Sequence, residues 1–99
     1  MNVTIQSVKF DAADRLKDFI EQKVSKLDVF FDRIIDADVI LKLDKSETTE
    51  NKVAEISLNV PGADLFAKKQ SKTFEEAIDL SCEALRKQLI KKKEKVKSK

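Results

Sequence analysis

The sequence has no histidine, tryptophan or tyrosine, and only one cysteine, one glycine, one proline and one methionine in 99 residues. Each scarcity removes a class of function. Without histidine the commonest general base is missing, and the single thiol, Cys82, has no imidazole to activate it. One cysteine without histidine cannot assemble the usual zinc ligand sets, and it forms no internal disulfide, which fits a reducing compartment. A single glycine, Gly62, leaves neither a phosphate-cradling loop nor a dinucleotide fingerprint. Carboxylates are plentiful, yet Asp36 and Asp38 stand two apart on one strand face without the companions a catalytic site needs. No run approaches the roughly 18 apolar residues of a membrane span, and residues 1–25 hold no basic leader or continuous apolar stretch. The expectation is a cytoplasmic protein that is not an enzyme and uses no metal or cofactor.

What is present is charge, unevenly placed. Residues 1–85 carry 12 Lys+Arg against 17 Asp+Glu, whereas residues 86–99 carry 8 against 1. A net charge of +2 therefore conceals a cationic end on an acidic body, the pattern of a chain that turns one surface toward a polyanion. With apolar residues at 41%, the length suits one domain with one core.

Periodicity supplies the elements. Residues 1–10 alternate from Val3 to Ile5 and then change parity at Val8 and Phe10, which predicts a strand with a bulge or an end near Ser7. Asp11 is the predicted N-cap of a helix reaching about Phe30, with Leu16, Phe19, Ile20, Val24, Leu27 and Phe31 on its apolar stripe. Residues 34–43 alternate with Ile35, Ala37, Val39, Leu41 and Leu43 on one face, and residues 53–60 with Ala54, Ile56, Leu58 and Val60. The Pro61-Gly62 turn leads into a short edge strand over 64–71, where Lys68 and Lys69 discourage sheet-to-sheet association. Thr73 and Glu76 form a capping box that starts a second helix, whose stripe is Phe74, Ala77, Ile78, Cys82, Leu85 and Leu89. Cys82 reads as a small buried core residue. The order β-α-β-β-β-α predicts an α+β two-layer sandwich, two helices packed on one face of a four-stranded sheet. Residues 1–95 form the single domain and 96–99 a frayed basic tail.

The second helix ends in the dense run Arg86, Lys87, Lys91, Lys92, Lys93 and Lys95. Lysines at a helix C-terminus suit the macrodipole and aid solubility, but eight cations in fourteen residues repel one another, and an anionic partner relieves that cost. A membrane surface fits poorly, because the apolar stripe is committed to the core as far as Leu89. With Phe10, Phe19, Phe30, Phe31, Phe66 and Phe74 mostly core-facing or at element ends, base stacking is disfavoured. Lysine contacts with phosphates remain, salt-dependent and attentive to RNA shape more than sequence.

The runs Lys23-Val24-Ser25-Lys26-Leu27-Asp28 and Phe31-Asp32-Arg33-Ile34 resemble the end of the first helix in bacterial hibernation-promoting factors and ribosome-associated inhibitors. Ala77-Ile78-Asp79, Leu85, Lys87-Gln88-Leu89 and the alternating Lys91, Lys93 and Lys95 look like that family's terminal helix. The resemblance spans nearly the whole chain and implies a short-form translation inhibitor, monomeric in solution. Such a protein binds the small ribosomal subunit between head and body, overlaps the mRNA and tRNA sites, and holds ribosomes inactive in stationary phase or stress. It also implies RNA-facing roles for Lys23, Lys26, Lys87, Lys91, Lys93 and Lys95; Arg86 and Lys92 join them by their place in the same dense run of charge. Many relatives carry Tyr at the position of Phe74 and Lys at that of Ala84, and Arg86 is expected to restore the second charge from nearby. Two other readings stand beside this one. The chain could be a general double-stranded RNA binder, or an interaction module whose acidic sheet-and-loop surface docks a basic partner while its lysines only solubilise it.

Overall fold

The structure is a computed structural model that describes residues 1–45 and 49–97, the side chains of 94–97 excepted. Period-two alternation becomes four strands, β1 (Asn2–Ser7), β2 (Asp36–Leu43), β3 (Lys52–Val60) and β4 (Ala63–Ser71), lying in that order in one sheet. β1 and β2 are parallel, while β2–β3 and β3–β4 are antiparallel. A parallel pair needs a crossover, and α1 (Asp14–Ser25) provides it. The second helix, α2 (Phe74–Lys97), follows β4. This is the expected β-α-β-β-β-α order, and the helices cover one face. Ile20, Val24 and Leu27 from the α1 side, and Ala77, Ile78, Leu85 and Leu89 from α2, bury themselves against Val39, Leu41, Ile56 and Leu58. Each fully buried aliphatic side chain of this kind contributes roughly 1.5–3 kcal/mol before entropy is counted.

Several boundaries differ from the sequence expectation for physical reasons. β1 stops at Ser7, whose hydroxyl donates to the Phe10 carbonyl at 2.6 Å, and Lys9 takes a positive φ of 66°. The parity change therefore marks the strand's end. Asp11 does not cap α1. The helix begins three residues later behind Ala13, which is extended and has no side-chain cap, and the Leu16 and Lys17 amides bond the Ala13 carbonyl. At its other end α1 tightens into a 3-10 turn over Lys26–Val29, which keeps Leu27 buried and leaves Val29 in solvent. Ile35 and Leu43 are exposed, since Ile35 precedes β2 and Leu43 ends it; Ile34 is buried instead.

Gly62 has φ 81° directly after Pro61, the type II arrangement, and closes the β3–β4 hairpin with Val60 opposite Ala63. β4 is nine residues long, and it is an edge as expected. Thr73 caps α2, its Oγ accepting from the Glu76 amide at 3.1 Å. Beyond the predicted stripe, Ser81 is fully buried and its hydroxyl donates to the Ala54 carbonyl at 3.4 Å. Cys82 is half-buried beside that stripe, one helical step short of the core position expected for it. Of the frayed tail expected at 96–99, residues 96 and 97 are the last of α2, and 98 and 99 lie outside the described residues.

Candidate nucleic-acid interface

α2 runs two turns past Leu89, the last buried residue among its described side chains, so its cationic end overhangs the sheet. At about 100° per residue, seven residues bring a helix nearly back to the same azimuth. Lys93 thus falls on the side of Arg86, while Lys87 and Lys91 share a different, outward side. Lys92 lies on the azimuth of Leu85 and is half-buried, whereas Lys91 and Lys93 are exposed. The side chain of Lys95 is outside the described residues.

The Arg86 side of α2 faces α1. Lys23, Lys26 and Arg86 line one interhelical cleft of about 310 Å³ together with Leu27, Phe30, Asp79, Cys82 and Glu83. Helix one and helix two therefore bring three of the expected cations together. Two of the three are already partnered. Lys23 Nζ lies 3.2 Å from Asp79 Oδ1 and 5.7 Å from the centre of the Phe19 ring. Arg86 donates from Nε to Glu83 Oε2 at 3.0 Å and from Nη2 to Glu83 Oε1, and its guanidinium lies 5.7 Å from the Phe30 ring. The Arg86 hydrogen bond holds the Glu83 carboxyl below its usual range, with Lys87 assisting, and the same bond raises the Arg86 guanidinium.

Among the described residues, Lys26, Lys87, Lys91, Lys92 and Lys93 form no ion pair. Ala84 and Arg86 lie about 200° apart around the helix, so Arg86 does not restore a charge at the Ala84 position. Ala84 instead packs against the core, and Phe74 stacks on Phe10 with ring centres 5.2 Å apart.

The opposite face of the sheet has the other sign at one end. Asp36, Asp38 and Asp64 line an open concavity of about 490 Å³ with Ser57 and Asn59. Further along, Glu55 neutralises Lys42 at 2.6 Å and lies 3.9 Å from Lys68. Phe66, expected among the core-facing or terminal rings, is half-exposed in mid-strand.

The cleft offers charge without reactive chemistry. Burial pushes the Cys82 thiol up to about 11, with Asp79 adding to the effect and Lys23 opposing it. Among the described residues no group of three His, Cys, Asp or Glu is placed to hold a metal, and no helix is long and apolar enough to cross a membrane. Sequence reasoning missed Asp79 and Glu83. The three-residue spacing of Glu83 and Arg86 signals one pair; the Lys23–Asp79 pair spans two helices and has no local signal.

Comparison with known proteins gives concordant matches. The family model described as Sigma 54 modulation protein / S30EA ribosomal protein matches residues 3–97. The chain is 39% identical over 95 residues to a ribosome hibernation promoting factor of Azotobacter vinelandii, covering 96% of this chain and 85% of that protein. It is 34% identical over 97 residues to one of Klebsiella oxytoca, covering 98% and 96%. A ribosomal subunit interface protein from Coxiella burnetii superposes with a TM-score of 0.84 at 22% identity over 94% of this chain and 98% of that one, a likeness of fold.

Proposed function

The chain belongs to the Sigma 54 modulation protein / S30EA ribosomal protein family, and from that premise we propose that it is a cytoplasmic, non-catalytic ribosome hibernation factor. It binds the small ribosomal subunit through rRNA phosphates, blocks the mRNA and tRNA sites, and holds ribosomes inactive in stationary phase or stress. One observation carries this reading: the fold gathers Lys23, Lys26 and Arg86 into a cleft at the root of an overhanging arm whose Lys87, Lys91, Lys92 and Lys93 have no ion-pair partner among the described residues. Ammonium groups without a carboxylate partner are what phosphate neutralisation requires, and the carboxylates of Asp36, Asp38 and Asp64 sit on the other face, where they do not oppose it.

The test is co-sedimentation with purified ribosomes together with translation in a cell-free extract. The protein, at amounts near those of ribosomes, is expected to pellet with the small subunit and to stop protein synthesis. Replacing Lys87, Lys91, Lys92 and Lys93 by Glu is expected to abolish both effects. Undiminished co-sedimentation of that variant at moderate salt would show that the cationic surface is not the contact.

A further inference from the structure

We propose that Asp79 and Glu83 are specificity-determining positioning residues, which fix Lys23 and Arg86 for a folded RNA surface and screen them from the phosphates of ordinary duplex RNA. The inference rests on the ribosome-binding reading and concerns how that same cleft chooses its RNA. Three cations line the cleft, and the two carboxylates among them leave a net charge of +1. A cleft built only to attract phosphate would not carry them.

The geometry assigns the carboxylates a second effect. Lys23 is held between Asp79 and the Phe19 ring, and Arg86 between Glu83 and the Phe30 ring. A guanidinium has five N–H donors. Glu83 engages Nε and one hydrogen of Nη2, which leaves the donors on the far edge as a fork with a preferred direction. Donors biased in this way favour a ligand whose phosphate is itself fixed at the matching place, because less side-chain entropy remains to be lost on binding. They do little for a free duplex, whose phosphates the unpaired arm lysines reach without the cleft. The duplex instead meets the repulsion of two carboxylates. Glu83 also lies near enough to Lys87 for that ammonium to help hold its carboxyl low.

Removing a carboxylate therefore acts oppositely on the two kinds of RNA. It adds a free cation, which strengthens binding to any polyanion, and it releases the donor from its set position, which weakens binding to the surface that uses that position. The experiment compares the original chain with Asp79→Asn, Glu83→Gln and the double variant. Each is measured by co-sedimentation with ribosomes and by filter binding to a short RNA duplex of arbitrary sequence, across a monovalent salt series at fixed magnesium.

Each single substitution is expected to tighten duplex binding by about threefold and to steepen its log–log salt slope by about 0.9. Ribosome binding is expected to weaken by about threefold, so the preference for ribosomes over duplex falls by about tenfold per substitution. Unchanged ribosome binding with a tighter duplex also supports the proposal. Equal tightening on both RNAs would reduce the carboxylates to simple charge and overturn it, as would an unchanged duplex affinity or weakening on both. Failure of the original chain to bind ribosomes in the same run would instead overturn the reading on which the proposal rests.

Discussion

Replacing Lys91, Lys92 and Lys93 together by Gln isolates the arm's share of RNA binding. All three lie beyond Leu89, the last buried residue among the described side chains of α2; Lys91 and Lys93 are exposed, Lys92 is half-buried, and none forms an ion pair among the described residues, so their charges are available to phosphates. For polyanion binding the logarithm of the affinity falls with the logarithm of salt at about 0.9 per phosphate neutralised, so three lost lysines flatten the slope by about 2.7. Over a rise in salt of about fourfold, the original chain then loses about 40-fold more affinity than the variant. Thermal stability should not fall, because removing adjacent like charges relieves repulsion along the helix. The assay is co-sedimentation with ribosomes over a monovalent salt series at constant magnesium. A control removes Lys42 and Lys68, which sit on the sheet's uncovered face with Glu55 between them, and should leave the slope where it was. An unchanged slope in the arm variant, or an equal change in the control, would refute the assignment of the arm as the phosphate contact.

Three other predictions concern the frame that holds this surface. Leu85 is completely buried where α2 meets the sheet; Leu85→Ala is expected to cost about 2–5 kcal/mol, seen in urea titration as a lower midpoint at constant m. At Gly62 an added Cβ meets nothing within 4 Å, but φ is 81°, so Gly62→Ala should cost about 1–2 kcal/mol from backbone strain alone and lower the melting temperature by several degrees. Cys82 is raised from its ordinary 9.0 to about 11 by burial, so the folded protein holds the thiol proton more tightly than the unfolded chain. That contribution to stability is complete below pH 9.0 and is lost as pH rises through about 11. At pH 8 a disulfide reagent should therefore modify the native thiol about tenfold more slowly than the unfolded one, the scarcer thiolate being partly offset by its greater nucleophilicity; equal rates would contradict the half-buried setting.

Much of the fold was legible because its signals are local and redundant. Alternation at Ala37, Val39 and Leu41 and at Ala54, Ile56 and Leu58 determined which strand faces turn inward, and Pro61-Gly62 fixed the hairpin. Thr73 announced α2 through a hydrogen bond made within one turn. The misplacements share a different cause. Asp11 has the chemistry of an N-cap, but the chain first turns through Lys9 and seats Phe10 on Phe74, sixty-four positions away, and the helix starts only after that contact is made. Ile34 and Ile35 are equivalent by composition, and only the docking of the strand decides which is buried. Ser81 reads as polar until β3 offers it the Ala54 carbonyl.

The site divides along the same line. The density of lysines after Arg86 is a property of sequence and survives folding, because a helix that overhangs its sheet brings those side chains few new neighbours. The cleft is a property of packing. Lys23 and Asp79 lie fifty-six positions apart, and the crossing of α1 over α2 brings them to 3.2 Å. A count of charges treats Lys23, Arg86 and Lys91 as alike, yet the first two are held by carboxylates and rings while the third stands without an ion pair. Equal formal charge therefore supports two different tasks. Free lysines on the arm supply attraction that any RNA can use, and the braced cations in the cleft supply direction that only a surface of matching shape can use.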